Sequence, residues 1–309
     1  MAGGRGVREC HPTELETGRE AVADAIKLAE RMSIGGRIQE LTSAERLLGT
    51  NRVFRVWSSA GTRILKVYGT PARERRETHS LEALSGIEGL PTVMDRGIED
   101  DATHWTLFDD SGQWNIGALP ENARTAEKAG TILRAVHDTS PNPLSNLSRG
   151  IDQEWVSVDF MSTFRRLERY RAKIGYSAEL LERARTVRPP FATEPRVAHT
   201  NTIPENFLVD DEGNVTLINW EWATLAPPEW DLTKSLWLIN LKAGRDAAAA
   251  FQLGYGRAID PVQLDRWIVY HASMMLVFEA ESTLRQDRYA YEYLIAELER
   301  AVTASKSAV

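Results

Sequence analysis

Cysteine is nearly absent from this chain: among 309 residues only Cys10 carries a thiol. A lone cysteine forms no internal disulfide and no cysteine-ligated metal cluster, which points to a reducing, cytoplasmic setting. Long apolar runs are also missing. No stretch reaches the roughly eighteen uncharged apolar residues that a membrane span needs, and the N-terminus holds no apolar core of signal-peptide type. We therefore expect a soluble, unprocessed chain that does not use a membrane. Positive charge is scarce: 37 Lys and Arg stand against 44 Asp and Glu, a formal net charge of -7. No nucleic-acid partner is expected, because phosphate backbones select concentrated Lys and Arg.

What remains is an ordinary globular composition, 42% hydrophobic and 26% charged, with no internal repeat. Residues 1–18 have no apolar period and read as disordered. "REAVADAIKLAERM" then sets Val22, Ala25, Ile26, Ala29 and Met32 on one helical face. Short β-rich runs follow, "RIQELTS", "RVFRVWSS" and "RILKVYG", separated by "LLGTN" and "AGT". "PARERRETHSLEALSGI" reads as a helix ending near Gly86, with Arg73, Arg75 and Arg76 on a solvated face beside Glu74 and Glu77. "PTVMDRGIEDDATHWTLFDDSGQ" reads as two more strands. From "ARTAEKAGTILRAVHDTS" onward the pattern is helical, except for the hairpin "NFLVDDEGNVTLINW" with its Asp211 to Asn214 turn. The expected class is α+β. A lobe over residues 19–112 carries about five antiparallel strands and a helix, a mainly helical lobe covers 113–302, and 303–309 is a tail.

One constellation carries chemistry. His199, Thr200 and Asn201 are followed after four residues by Asn206, then by the hairpin running into "INWEW" and by "APPEWDL". This order resembles the aminoglycoside phosphotransferase and choline kinase-like family, over about residues 35–240. The resemblance implies a two-lobed protein-kinase-like fold that transfers phosphate from ATP, with Mg²⁺, to a small molecule. It implies further that Gly49, Thr50 and Asn51 lie in the turn covering the nucleotide phosphates. Lys66 would be the phosphate-binding lysine and Glu77 its helix partner, with Glu82 the other candidate. His199 and residue 201 would form the catalytic loop, Asn206 and residue 219 would hold the metal, Asp231 would brace the loops, and His137 would support them.

Where the family carries aspartate, this chain has Asn201 and Asn219. An amide is no base at neutral pH, so a proton acceptor worth roughly 10²- to 10⁴-fold is gone. Mg²⁺ prefers carboxylates, so Asn219 should hold it weakly. Glu205 and Glu221 are the nearby acids able to compensate. Thr200 replaces the family's glycine, a change that silencing a kinase by design would not need, so we read the departures as natural.

The expected function is therefore a degenerate pseudokinase that binds a nucleotide or small metabolite, or supports a partner protein, with Mg-ATP phosphoryl transfer severely impaired. Two alternatives stand beside it: an active small-molecule O-phosphotransferase using Glu205 or Glu221, and a metal-independent reaction with Lys66 or His199 as acid or base. Trp220, Trp222, Trp230 and Trp237 are expected to be core and cleft-wall residues, and Met274 and Met275 core.

Overall fold

The computed structural model describes residues 25–33, 36–41, 51–59, 61–118, 123–140, 150–189, 193–281 and 288–305. The segment expected to be disordered, Val22, and the turn residues Gly49 and Thr50 lie outside them. The chain divides into two compact units, one drawn from Met1–Arg75 with Thr92–Asp110, the other from Arg76–Pro91 with Ser111–Val309. None of the described helices is long and apolar enough to cross a membrane.

The first unit is built on a five-stranded antiparallel sheet, β1 (Ile38–Glu40), β2 (Arg52–Ser58), β3 (Gly61–Val67), β4 (Val93–Ile98) and β5 (His104–Asp109), in the order β1-β2-β3-β5-β4. Alternation along β2 and β3 sends Phe54, Val56, Leu65 and Val67 to one face. There they close a core with Ala25, Leu28, Ala29 and Trp105. The helical residues 25–33 thus cover the sheet with the face their period foretold, Leu28 added. Lys66 leaves β3 on the other side, between Val53 and Thr106 on its neighbours, and is itself buried.

The helix Pro71–Ala83 is less solvated than its charge pattern suggests. Arg75 is exposed, but Glu74 is buried with an oxygen 3.3 Å from His104 Nδ1, Glu77 is buried, and Arg76 is half-buried. The solvated arginine face is corrected accordingly: burial of the two acids draws their helix face inward.

The second unit is mostly helical. Helices Gln153–Ile174, Pro228–Ala243, Pro261–Glu281 and Arg288–Ala304 pack their apolar faces into one core, with Phe160, Phe164, Trp230, Trp267, Tyr270 and Leu298 among its members. The last helix runs to Ala304 and Ser305 is buried, so order extends past the expected start of a tail at 303. Strands β8 (Phe207–Val209) and β9 (Val215–Leu217) form the foreseen hairpin. Its turn begins at Asp210, whose carboxylate accepts the Asn214 amide at 2.7 Å. β6 (Trp114–Asn115) adds to β8, and β7 (Arg196–Ala198) pairs with β10 (Thr224–Ala226); the sequence reading contained neither pairing.

Two glycines set how closely helices Ala123–Asp138 and Arg245–Tyr255 approach. A Cβ on Gly130 would stand 2.0 Å from the Phe251 carbonyl oxygen, and one on Gly254 1.9 Å from that of Glu127. The contact seats His137 against Tyr255, whose hydroxyl is 2.8 Å from Nδ1. Helix propensity alone favours alanine over glycine by about 1 kcal/mol, whereas overpacking costs about 1–3 kcal/mol. Gly254→Ala is expected to destabilise by up to about 2 kcal/mol net, read as a lower urea midpoint; a raised midpoint would show that the helices can separate at no cost.

Candidate active site

Asp231 lies in the first turn of helix Pro228–Ala243 and is fully buried. Its Oδ2 accepts the backbone N–H of His199 at 2.7 Å and its Oδ1 that of Thr200 at 2.8 Å. His137 Nε2 lies 3.3 Å from the same Oδ2, and Thr202 Oγ1 donates to the Asp231 carbonyl at 3.0 Å. Burial pushes the Asp231 carboxyl up, but the hydrogen bonds from His137 and from the His199 backbone N–H outweigh it and hold the carboxyl below the usual range.

His199 is buried, with Nε2 2.8 Å from the Ile218 carbonyl oxygen. A carbonyl only accepts, so Nε2 carries the proton and Nδ1 accepts the Asn201 N–H at 3.2 Å. Burial lowers the pKa of the ring, which matches this neutral tautomer. Both ring nitrogens are engaged within the protein. Thr200 adopts φ 65°, unusual for a β-branched residue. Its Oγ1 donates to the Trp222 carbonyl at 2.8 Å and its own carbonyl accepts Trp230 Nε1 at 3.2 Å. These two bonds hold a conformation that costs on the order of 1–3 kcal/mol.

Asn201 and Asn219 meet through Asn206. Its Nδ2 donates to the Asn201 carbonyl at 2.7 Å, which commits its Oδ1 to the other side. There it accepts Asn219 Nδ2 at 2.8 Å. Asn219 follows β9 in a left-handed conformation, φ 69° and ψ 56°, which asparagine tolerates. The next residue is anchored by Glu77 Oε1, which accepts the Trp220 N–H at 3.0 Å. Glu82, the other helix candidate, is exposed.

Divalent-cation coordination needs oxygens turned toward one point, with carboxylates favoured for Mg²⁺. Here an amide N–H₂ points at the second oxygen and both side chains are neutral, so the residues as arranged do not fit that ion. Glu205 forms an ion pair with Lys242. Glu221 contributes its carbonyl, which accepts Arg76 Nη1 at 3.1 Å.

Lys66 and Asn51 belong to the first unit. Lys66 Nζ lies 5.4 Å from the centroid of the Tyr68 ring, and Asn51 Oδ1 accepts the Gly69 N–H at 3.1 Å. Trp220, Trp230 and Trp237 are core residues, while Trp222 stands on the surface.

Sequence reasoning overlooked Lys234. Its Nζ reaches Asn201 Oδ1 at 3.2 Å, and burial lowers its pKa to about 8 against the opposing pull of Asp231. The signal was available: "DLTK" places the lysine three residues after the bracing aspartate, on an adjoining position of the same helix face.

A family model described as "Phosphotransferase enzyme family" matches residues 46–267. No curated protein matches the chain. Among solved structures it is similar to a spectinomycin phosphotransferase in complex with ADP and spectinomycin, at 14% identity, TM-score 0.64, covering 91% of this chain and 98% of that one. A choline/ethanolamine kinase family protein from Mesorhizobium loti is similar at 17% identity and TM-score 0.58, covering 93% and 99%. A macrolide 2'-phosphotransferase from Brachybacterium faecium is similar at 16% identity and TM-score 0.61, covering 89% and 98%. At these identities the likeness is one of fold.

Two outcomes follow from the geometry. Asp231→Ala leaves two N–H groups without their buried acceptor and should cost about 3–5 kcal/mol, measured by chemical denaturation; a loss under about 1 kcal/mol would mean that the loop is held elsewhere. Burial depresses the folded-state pKa of His199, and that of His271 to about 3. Both therefore take up a proton only on unfolding once pH falls below the unfolded value of about 6.5. The contribution of these histidines to stability should be level above about pH 6.5 and fall below it by up to about 1.4 kcal/mol per histidine per pH unit. A flat profile from pH 7 down to 5 would contradict this.

Proposed function

The chain belongs to the phosphotransferase enzyme family, and within it we propose a member that binds a nucleotide or small metabolite without requiring Mg²⁺ and is severely impaired in phosphoryl transfer from Mg-ATP. The observation that supports this reading is the 2.8 Å hydrogen bond from Asn219 Nδ2 to Asn206 Oδ1. The Asn206 oxygen that would face a cation is occupied by the Asn219 amide N–H instead. Asn201 adds to the impairment, since its neutral amide cannot take the proton of an attacking hydroxyl, a contribution of roughly 10²- to 10⁴-fold. Compensation by Glu205 is opposed by its ion pair with Lys242, and proton transfer by His199 is opposed by the engagement of both its ring nitrogens. A nucleotide is favoured as ligand because the spectinomycin phosphotransferase of similar fold holds ADP.

Calorimetric titration with ATP and ADP, each in Mg²⁺ and in EDTA, is expected to give affinities within about threefold of one another between the two conditions, an energy difference of about 0.7 kcal/mol or less. Mass spectrometry with hydroxylated and amino-sugar acceptors is expected to find no phosphorylated product. The Asn219→Asp variant should be less stable than the parent in EDTA, because a carboxylate then faces Asn206 Oδ1, and the Asn201→Asp, Asn219→Asp double variant should gain ATP turnover when Mg²⁺ is added. Mg-ATP turnover by the unaltered protein at the rate of an ordinary kinase, roughly 1–100 per second, would end this reading.

A further inference from the structure

We propose that Lys234 is the cation that receives the anionic group of the ligand at this site, its ammonium contacting a phosphate oxygen directly beside Asn201. The inference rests on the reading that the site binds its ligand without a metal ion. Lys234 extends from helix Pro228–Ala243 to the catalytic-type loop, and its one hydrogen bond among the described residues is to the neutral Asn201 Oδ1, at 3.2 Å. Charge-assisted bonds are shorter, about 2.7–2.9 Å, and an ammonium has three donors to satisfy. No Asp or Glu oxygen of the described residues lies within 4.0 Å of this Nζ. Asp231, on the same helix, spends Oδ1 on the Thr200 amide and Oδ2 on the His199 amide.

The other titratable groups facing the amine are His199 from the loop and His271 from helix Pro261–Glu281, both kept neutral by burial. A half-buried cation with unfilled donors is poorly solvated, and an anion completes it. The loop departures make room for this. Asn201 and Asn219 bring no negative charge, so a phosphate approaching Lys234 meets no carboxylate at either position. The Asn219–Asn206 bond meanwhile removes the metal ligands that would otherwise offset phosphate charge.

The pH dependence gives a signature that a structural lysine would not. Burial brings the pKa of Lys234 down to about 8, and the proposed contact needs the protonated form. Affinity should therefore be level below pH 7 and fall as pH rises through about 8.

The test is calorimetry in EDTA from pH 6.5 to 9.5, with ATP, tripolyphosphate and glucose 6-phosphate as separate probes, on the parent, Lys234→Met and Lys234→Arg. Circular dichroism melts confirm that each variant is folded. Lys234→Met is expected to weaken at least one probe about tenfold or more at pH 7 and to abolish the fall above pH 8. Lys234→Arg should keep binding at pH 7 and extend it to pH 9.5, because guanidinium stays charged. Dependence for ATP and tripolyphosphate assigns the contact to nucleotide phosphates, and dependence for glucose 6-phosphate alone assigns it to a phosphorylated metabolite. Unchanged affinity and pH profile in a folded Lys234→Met overturn the inference while leaving metal-independent binding standing. If no probe and no nucleotide binds the parent, with or without Mg²⁺, both fall.

Discussion

The buried carboxylate of Asp231 is the interaction on which the site depends. One side chain accepts the amides of two consecutive residues, His199 and Thr200, and so fixes the direction in which the loop leaves β7. A carboxylate with no exposure is costly unless its lone pairs are filled. Here they are filled by loop amides and by His137, which is held in turn against Tyr255 by the glycine-mediated approach of two helices. Core packing, helix contact and loop geometry are therefore one connected system, with a charge at its centre that cannot relax into water.

Around that scaffold the polar chemistry is rebuilt from neutral groups. A chain of amides runs from Asn219 through Asn206 to the Asn201 carbonyl, each donor matched to an acceptor. Such a chain is self-sufficient where two carboxylates would repel each other without a cation between them. The adjoining Lys234 points its amine at an amide oxygen rather than at an acid. The backbone course of the loop is kept by Asp231 and by Glu77 on Trp220. Thr200 fits the same picture: its hydroxyl gains a carbonyl partner in Trp222, which compensates for a backbone conformation that favours glycine.

Much of the fold was legible because its signals are local. Alternation in "RVFRVWSS" and "RILKVYG" is a two-residue property, and the faces it assigns to Phe54, Val56, Leu65 and Val67 are those that meet the helix at 25–33. The strand pairings of β6 with β8 and β7 with β10 were not legible, since two- and three-residue strands carry no period and owe their pairing to neighbours distant in the chain. Glu74, Glu77 and Arg76 misled for a related reason. Charge type predicts solvation only on average, and these side chains find partners at His104, Trp220 and Glu221, far away in sequence.

The sequence by itself determined the fold class, through its hydrophobic periods and the spacing of His199, Asn206 and Asp231, and it determined that positions 201 and 219 are neutral amides, because residue identity is all that such a statement requires. Only the tertiary structure decided how those amides are turned. Whether an amide turns its oxygen or its nitrogen inward depends on which partner stands opposite, and Asn206 stands opposite both Asn201 and Asn219 through folding alone. The same holds for Lys234, which came to face the Asn201 amide oxygen only when its largely buried helix was docked on the loop. Hydrogen-bond direction and the burial of charge are properties of pairs in space, and a linear chain does not contain them.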